Sequence, residues 1–280
     1  MTDATARLTR FYGDLSPSLE SVLAILNESG VDTNRLKASD LYQRDLDCHN
    51  LGMHTMLEEL ARVVAEYGAP TPDDRLLDLG CGLGGPGRFL VDHFQCSIVG
   101  VDLLPLRVEL AQRLSELTGM DEHISYRVAD ATNLDVEAAS FEQAWMLDVS
   151  MHIKDKRALF GEIARVLRPG GLMVMHEMPG PLPKAMSPLT RRVPYIAPSL
   201  PQLVRYVEGA GLQLLTWRDT TPDVLDYFEG VRALLRDAPA SVSEASQGAR
   251  DVGIVALNAY IETLGMLGGR TGILIARRVA

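Results

Sequence analysis

The chain has 280 residues, of which 46% are apolar and 23% are charged, and its 37 acidic residues exceed its 27 basic residues by 37 − 27 = 10. These proportions are ordinary for a folded globular protein and exclude collagen-like repeats, low-complexity sequence and extended disorder. The acidic balance also disfavours nucleic-acid binding, because the electrostatic part of that affinity needs clustered Lys and Arg.

The cysteines and the apolar stretches indicate the cellular compartment in which the protein is expected. Three cysteines without a Cys-x-x-Cys pair predict neither a disulfide framework nor a structural zinc site. The first residues lack the apolar core of a secretory signal, and the longest stretch without a charge, 193–204, contains three prolines and is too short to span a bilayer. We therefore expect a cytoplasmic protein with no bound metal and no membrane span.

Short apolar runs alternate with segments of helical periodicity from residue 71 onward. Runs rich in branched apolar residues predict strands, and apolar residues three and four apart predict helices. The strands predicted in chain order are 75–79, 97–102, 123–128, 141–147, 172–176, 212–217 and 272–276. This alternation predicts β-α-β units, hence a parallel sheet with helices on both faces and a ligand crevice at the carboxyl ends of its strands.

Two regions depart from this alternation. Residues 1–70 are helical and polar, and they predict an N-terminal helical cap segment. The sheet domain then occupies 71–280, with a proline-rich loop at 179–201 and a helical insert at about 219–270. Because no linker-like composition separates these parts, we expect the extra helices to cover the crevice rather than to form an independent unit.

A glycine-rich turn follows the first predicted strand and precedes a helix. Glycines let the backbone approach a ligand closely, and the start of a helix offers unpaired N–H groups. Gly80, Gly82 and Gly85 also satisfy the Gly-x-Gly-x-x-Gly pattern of dinucleotide sites. That pattern alone is a weak signal, so the residues around the turn decide which ligand is predicted.

Three aspartates near the ends of the first three strands favour a cationic ligand. Asp78 precedes the turn, Asp102 ends the second strand where it can accept hydrogen bonds from both ribose hydroxyls, and Asp130 ends the third near a base edge. Carboxylates in these places would repel a pyrophosphate and would suit an ammonium or sulfonium group. The predicted ligand is therefore a cationic nucleoside rather than a dinucleotide.

Together these motifs resemble the class I S-adenosylmethionine-dependent methyltransferases over about residues 74–178. The resemblance rests on the segments Asp78–Gly82, Val101-Asp102, Ala129-Asp130 and Leu167–Gly171. It implies a Rossmann-like, seven-stranded and mostly parallel sheet with one antiparallel edge strand, S-adenosyl-L-methionine as cofactor, and a small-molecule methyl acceptor. The cofactor-binding residues expected from the charges and from this resemblance are Asp78, Gly80, Cys81, Gly82, Gly85, Asp102, Leu103, Asp130, Ala131 and Leu147.

Within that class, the run Leu83–Arg88 is similar to the branch that acts on small molecules. This branch includes sarcosine and dimethylglycine N-methyltransferases and sugar O-methyltransferases of natural-product pathways. The segment Trp145–Leu167, the N-terminal helices and the insert support the same assignment. Leu147 is a departure, because the branch often carries a polar Gln there.

His152 and Glu177 are the predicted catalytic pair. They follow the fourth and fifth strands, whose adjacent ends would place both side chains over the transferred methyl group. A His held by a carboxylate can serve as a general base near neutral pH, and certain sugar O-methyltransferases place His and Asp at the matching positions. The alternatives are a structural His152, a solvated Glu177, and Asp148 as a helix cap or a substrate contact. The remaining histidines, His176 among them, are interpreted as structural or surface residues.

The leading hypothesis is methyl transfer from S-adenosylmethionine to an N or O atom of a small metabolite. The alternative is C-methylation of a lipid-like or prenylated molecule, which the Met-rich strand ends would tolerate. A nucleic-acid methyltransferase is disfavoured, since the fourth strand lacks an Asn/Asp-Pro-Pro-aromatic motif. An NAD-dependent oxidoreductase and a catalytically silent binding module are the other hypotheses. The acceptor and the oligomeric state stay open, with a homodimer as one option.

Overall fold

The fold is described from a computed structural model that covers residues 3–48, 52–180, 195–237, 257–258, 260–266 and 268–279. In these ranges the α-helices are α1 (Asp3–Leu15), α2 (Leu19–Glu28), α3 (Ala38–Tyr42), α4 (Met53–Gly68), α5 (Gly85–Phe94), α6 (Pro105–Leu117), α7 (Lys156–Val166), α8 (Leu200–Gly209) and α9 (Thr221–Asp237). Shorter helical turns lie at Thr33–Arg35, Ser150–His152 and Glu262–Met266. None of the helices in these ranges is long and apolar enough to cross a membrane.

Seven strands form one sheet in the order β3-β2-β1-β4-β5-β7-β6. The strands are β1 (Arg75–Leu79), β2 (Ser97–Asp102), β3 (Ile124–Val128), β4 (Phe141–Leu147), β5 (Leu167–Glu177), β6 (Leu212–Asp219) and β7 (Gly272–Arg278). The pairs β1–β2, β1–β4, β2–β3 and β4–β5 are parallel. The Rossmann-like, mostly parallel sheet predicted from the sequence is confirmed.

Helices cover both faces because successive side chains on each strand point to opposite sides. On β1, Leu76 belongs to a core shared with α4 and α5, whereas Leu77 and Leu79 belong to a core shared with α7 and α8. All three leucines are fully buried. A strand that is apolar on both faces is typical of a parallel sheet between two helical layers.

The antiparallel strand does not lie at the edge of the sheet, contrary to expectation. β7 runs antiparallel to both β5 and β6 and lies between them, so β6 is the edge strand. The physical reason is burial on both faces, since the run Ile273–Ala276 has no exposed side chain whereas most of β6 is half-buried. An uninterrupted apolar run gains more from an interior position than from an edge.

The helices before β1 pack on the same domain. α4 contributes Leu57 and Leu60 to the core beneath the sheet, and Leu26 of α2 packs against Leu114 of α6. In the predicted insert, α9 adds Phe228 to the core shared with α4. Residues 238–256 of that insert and 181–194 of the proline-rich loop lie outside the described residues, and the division of the chain at residue 70 stays a prediction.

A buried ion pair joins the segment before α4 to α5. The Nη2 and Nε atoms of Arg88 lie 2.8 and 3.1 Å from Oδ2 of Asp47, and neither side chain is exposed to solvent. Arg88 Nη1 also donates to Ser115 Oγ at 2.9 Å and to the Ala111 carbonyl at 3.2 Å. One guanidinium thus connects the N-terminal segment, α5 and α6.

Candidate active site

A cavity of about 320 Å³ opens at the carboxyl ends of the first four strands. This is the position predicted for a ligand crevice in a sheet of this kind, and the volume is that of a small-molecule site. Its walls come from the glycine-rich turn after β1, the ends of β2, β3 and β4, the turn that carries His152, and α1. The N-terminal helix therefore covers the crevice, as Leu8 and Tyr12 of α1 line it directly.

The turn after β1 needs glycine at position 80. Gly80 has φ +72°, and a Cβ atom there would lie 2.4 Å from Cγ2 of Val149. The N–H groups of Gly80 and Cys81 donate to the Val101 carbonyl at 2.8 and 3.0 Å, which ties the turn to β2. Gly80 and Cys81 line the cavity, whereas Gly85 does not: a Cβ atom on Gly85 would meet the Asp47 carbonyl oxygen at 2.5 Å.

Asp102 lies where the turn and the start of α6 meet. Its Oδ2 accepts the N–H of Gly82 at 3.0 Å and its Oδ1 accepts the N–H of Leu104 at 2.9 Å. Each carboxylate oxygen has a second lone pair, so the group can still accept hydroxyl hydrogens from a ligand in the cavity. The Asp102 carboxylate therefore both shapes the wall and presents charge to the interior.

Asp78 is buried on the cavity wall with one carboxylate oxygen unsatisfied. No hydrogen-bond partner for Oδ2 is present among the described residues. Burial raises the pKa of Asp78 to about 7, the neighbouring Asp102 charge adds to the increase, and Arg88 opposes it. A buried acceptor without a donor is costly, which is typical of a group that meets a ligand.

The other predicted cofactor-binding residues form the far wall. Leu103, Asp130, Ala131 and Leu147 all line the cavity. Leu147 is buried, whereas Leu103 and Asp130 are exposed at the rim. Oδ1 of Asp130 accepts the backbone N–H of Thr132 at 2.9 Å and the Thr132 hydroxyl at 2.7 Å, so the residue after the next one holds this carboxylate.

His152 lines the cavity next to residues of α1. Its Nε2 lies 2.8 Å from the hydroxyl of Tyr12, and the two rings meet edge to face. Tyr12 in turn carries the Arg107 guanidinium over its ring at 4.7 Å. Sequence reasoning missed Tyr12 and Arg107, because no local pattern shows that a helix 140 residues upstream reaches His152.

The structure does not bring Glu177 to His152. Glu177 is fully buried and lies outside the cavity wall; its carboxylate accepts the hydroxyl of Ser150 and, at 3.2 Å, the N–H of Met178. Burial raises the pKa of Glu177 to about 8, and the charge of Asp148 adds to this. The interpretation of Glu177 as a solvated carboxylate is wrong, since its side chain has no solvent contact.

A different His–carboxylate pair is present beside the cavity. Nδ1 of His176 lies 3.1 and 3.2 Å from the two oxygens of Asp148, and Asp148 lines the cavity. Asp148 is not a helix cap, because Asp155 caps α7 through the N–H of Ala158. A signal was available: a histidine in the apolar run of β5 needs a polar partner when it is buried.

Comparisons with known proteins agree with this architecture. Residues 77–175 match a family model described as a methyltransferase domain. A sterol 24-C-methyltransferase from Eremothecium gossypii is 32% identical over 114 residues, which are 41% of this chain and 31% of that protein. The chain thus spans less than a third of the length of this relative, and 28% of a second sterol 24-C-methyltransferase.

Two solved structures extend the similarity over most of the chain. A Galdieria sulphuraria protein assigned as a sarcosine dimethylglycine methyltransferase has a TM-score of 0.69 and 25% identity, over 80% of this chain and 86% of that one. A geranyl diphosphate C-methyltransferase from Streptomyces coelicolor has a TM-score of 0.72 over 99% of both chains, and its 21% identity shows the fold alone. The matched family segment begins within β1 and ends within β5, so it spans the strands that build the cavity. This part of the chain is a methyltransferase domain, and its fold is that of the class I S-adenosylmethionine-dependent methyltransferases of the small-molecule branch.

Proposed function

We propose that this protein transfers a methyl group from S-adenosylmethionine to an N or O atom of a small metabolite. The observation that carries the proposal is the buried Asp78 carboxylate, which has an unsatisfied oxygen and belongs to a residue that lines one cavity with Asp102 and Asp130. Carboxylates concentrated around one small cavity favour a cationic ligand. A pyrophosphate next to these three carboxylates would be repelled.

The residues present fit this cofactor. Asp78 would hold its ammonium group, Asp102 its ribose hydroxyls, and Asp130 with Ala131 its base, while Leu103 and Leu147 supply apolar wall. Gly80 and Gly82 allow the backbone to approach it closely. A relative of the same fold, the geranyl diphosphate C-methyltransferase, contains S-adenosyl-L-homocysteine, which supports the assignment.

The chain's own residues orient the acceptor and exclude water. When bound, S-adenosylmethionine supplies a methyl group that its sulfonium already activates. The protein then has to hold the accepting atom about 3–3.5 Å from the methyl carbon, in line with the bond between that carbon and the sulfur, and to keep water out of the site. α1 covers the cavity, and His152, which lines it, would accept the proton of a hydroxyl acceptor through a ring nitrogen.

C-methylation of a lipid-like molecule is the second candidate, and one observation favours it. Curated relatives include sterol 24-C-methyltransferases, and a similar structure is a C-methyltransferase of a prenyl diphosphate. The cytoplasmic location and the homodimer stay predictions.

Calorimetric titration tests the cofactor, and product analysis tests the acceptor. We expect S-adenosylmethionine and S-adenosylhomocysteine to bind with a measurable heat and NADH to give none. Turnover with a labelled methyl donor is then followed across amine, hydroxy-acid, glycoside and prenyl acceptors. Label on carbon would establish the second candidate, and a signal with NADH alone would contradict both.

Substitution of Asp102 by Ala is expected to weaken the binding of S-adenosylmethionine by about 1.5–3 kcal/mol, since it removes hydrogen bonds to a charged group. Calorimetry measures the effect. Asp102→Asn is the matched control, because its amide oxygen can still accept the N–H of Gly82 and so preserves the turn. An unchanged affinity in Asp102→Ala would remove this residue from the cofactor site.

Substitution of His152 by Ala is expected to slow turnover of a hydroxyl acceptor about 10²–10⁴-fold and to leave cofactor affinity unchanged, because a general base acts only on the accepting atom. His123→Ala serves as the control, since His123 is exposed and outside the cavity. An unimpaired rate in His152→Ala would mean that the acceptor needs no base at this position.

A further inference from the structure

The side chain of Asp148 is fixed in the cavity wall by two connections to one residue of the neighbouring strand. Its N–H donates to the His176 carbonyl at 2.9 Å, and both of its carboxylate oxygens lie within 3.2 Å of Nδ1 of His176. Asp148 has φ +56°, a left-handed conformation that is uncommon for a residue with a Cβ atom. Backbone strain and a bidentate contact together hold the carboxylate in one direction.

The hydrogen bonds behind Asp148 determine the state of the imidazole. An ionised carboxylate only accepts hydrogen bonds, so Nδ1 of His176 must carry the proton that it donates. In the neutral ring Nε2 is then an acceptor, and Thr220 Oγ1 lies 3.1 Å from it. Thr220 is 3.1 Å from the hydroxyl of Thr271, and none of these three side chains is exposed. A buried polar chain of this kind makes its first member rigid.

Tyr12 of α1 lines the same cavity as Asp148. The negative charge of Asp148 contributes to raising the pKa of Tyr260 to about 12, after the larger effect of burial. It contributes in the same direction to the raised pKa values of Tyr12 and Tyr195. Tyr12 belongs to α1, Tyr195 precedes α8, and Tyr260 precedes the turn at Glu262–Met266. The charge of Asp148 therefore acts on tyrosines of three segments, of which α1 covers the cavity.

A fixed carboxylate in the wall of a small cavity is chemically suited to an amine. The carboxylate attracts an ammonium group or accepts its N–H hydrogen. A hydroxyl or an alkene of the same shape gains less from such surroundings. We propose that Asp148, held in place by the positioning residue His176, recognises the methyl acceptor and that this acceptor is an amine, an inference that rests on the proposed function.

Matched probes test the inference on the full chain saturated with S-adenosylhomocysteine. N,N-dimethylethanolamine and 3-methylbutan-1-ol have the same shape and differ in the nitrogen. We expect calorimetry to give saturable binding of the amine at least about tenfold tighter than that of the alcohol. In Asp148→Asn the preference for the amine should disappear while the affinity for S-adenosylhomocysteine stays within about twofold. Equal binding of the two probes, or no saturable binding of the amine, would overturn the proposal.

NMR and two substitutions test whether His176 positions Asp148. Nitrogen-15 NMR of the histidine side chains should show the Nδ1–H tautomer for His176, and the Nε2–H tautomer would contradict the hydrogen-bond chain. His176→Leu should abolish the preference for the amine, whereas His176→Asn, whose amide can still donate to Asp148, should restore most of it. If both variants keep the full preference, His176 has no positioning role.

Failure of this inference can be told apart from failure of the proposed function. If S-adenosylhomocysteine does not bind, the proposed function fails at the first titration, and the amine titration is then made on the cofactor-free protein. If S-adenosylhomocysteine binds and the two probes do not differ, the cofactor assignment stands and only the assignment of Asp148 falls. A loss of S-adenosylhomocysteine affinity in Asp148→Asn would place that residue in the cofactor site instead.

Discussion

Replacement of Asp78 by Asn is expected to stabilise the cofactor-free protein and to weaken its cofactor binding. Burial and the neighbouring Asp102 charge raise the pKa of Asp78 from 3.8 to about 7. The folded state therefore holds a proton that the unfolded state has lost, and stability falls as the pH rises from about 4 to about 7. At 1.36 kcal/mol per unit, the ionised form costs the fold about 4 kcal/mol above pH 7, which Asn removes.

Binding should change in the opposite direction. An ionised Asp78 attracts the ammonium group proposed for this position, so the affinity of the wild-type protein for S-adenosylmethionine should increase with pH and level off above about 7. In Asp78→Asn the affinity should be about 10–100-fold lower at pH 8 and independent of pH across this range. A functional group that costs stability is a common compromise in binding sites.

Thermal denaturation and calorimetry at pH 5, 6, 7 and 8 measure both effects. Asp130→Asn is the matched control, because Asp130 is exposed and its replacement should leave the unfolding free energy and its pH dependence unchanged. A stability loss in Asp78→Asn at pH 8 would show that the carboxylate has a donor in the cofactor-free protein. An affinity that did not depend on pH in the wild-type chain would separate Asp78 from the ligand.

The sequence was sufficient to predict the sheet and the wall that carries the aspartates. Asp78, Asp102 and Asp130 each lie within two residues of the end of a parallel strand, and such ends meet at one edge of a sheet whatever the rest of the chain does. The alternation of predicted strands and helices, together with the glycine-rich turn, was therefore enough to predict where these aspartates lie. The same pattern did not indicate that Gly85 lies outside the cavity wall, where the Asp47 backbone leaves no space for a Cβ atom.

The contacts of His152 and Glu177 could not be predicted in the same way, because facing side chains depend on strand alternation and on distant segments. On β5, His176 is in phase with Val174 and Glu177 with Met175, so the two polar residues point to opposite faces of the sheet. His176 consequently meets Asp148, and Glu177 meets Ser150. The contact between Tyr12 and His152 spans 140 residues, a separation at which periodicity carries no information.

Removal of the Arg88 guanidinium is expected to destabilise the protein more than any other single change considered for this chain. In Arg88→Met the side chain still fills part of its space, but Asp47 keeps a buried charge without its partner. Breaking a buried ion pair in this way costs about 3–5 kcal/mol. Burial already raises the pKa of Asp47, and Arg88 counteracts that effect, so the variant should lose stability most strongly at high pH where Asp47 is ionised.

A double substitution separates the charge from the packing. Asp47→Asn combined with Arg88→Met leaves no buried charge, and most of the lost stability should return, because an ion pair replaced as a whole is often nearly neutral. Urea denaturation of the four proteins completes the cycle. Asp47 also lines the cavity, so Arg88→Met should weaken S-adenosylhomocysteine binding as the N-terminal segment loosens. If the double variant is as unstable as Arg88→Met, the stabilisation comes from the contacts of Arg88 with Ser115 and Ala111. The link between α5 and α6, rather than the ion pair, would then be what Arg88 contributes to stability.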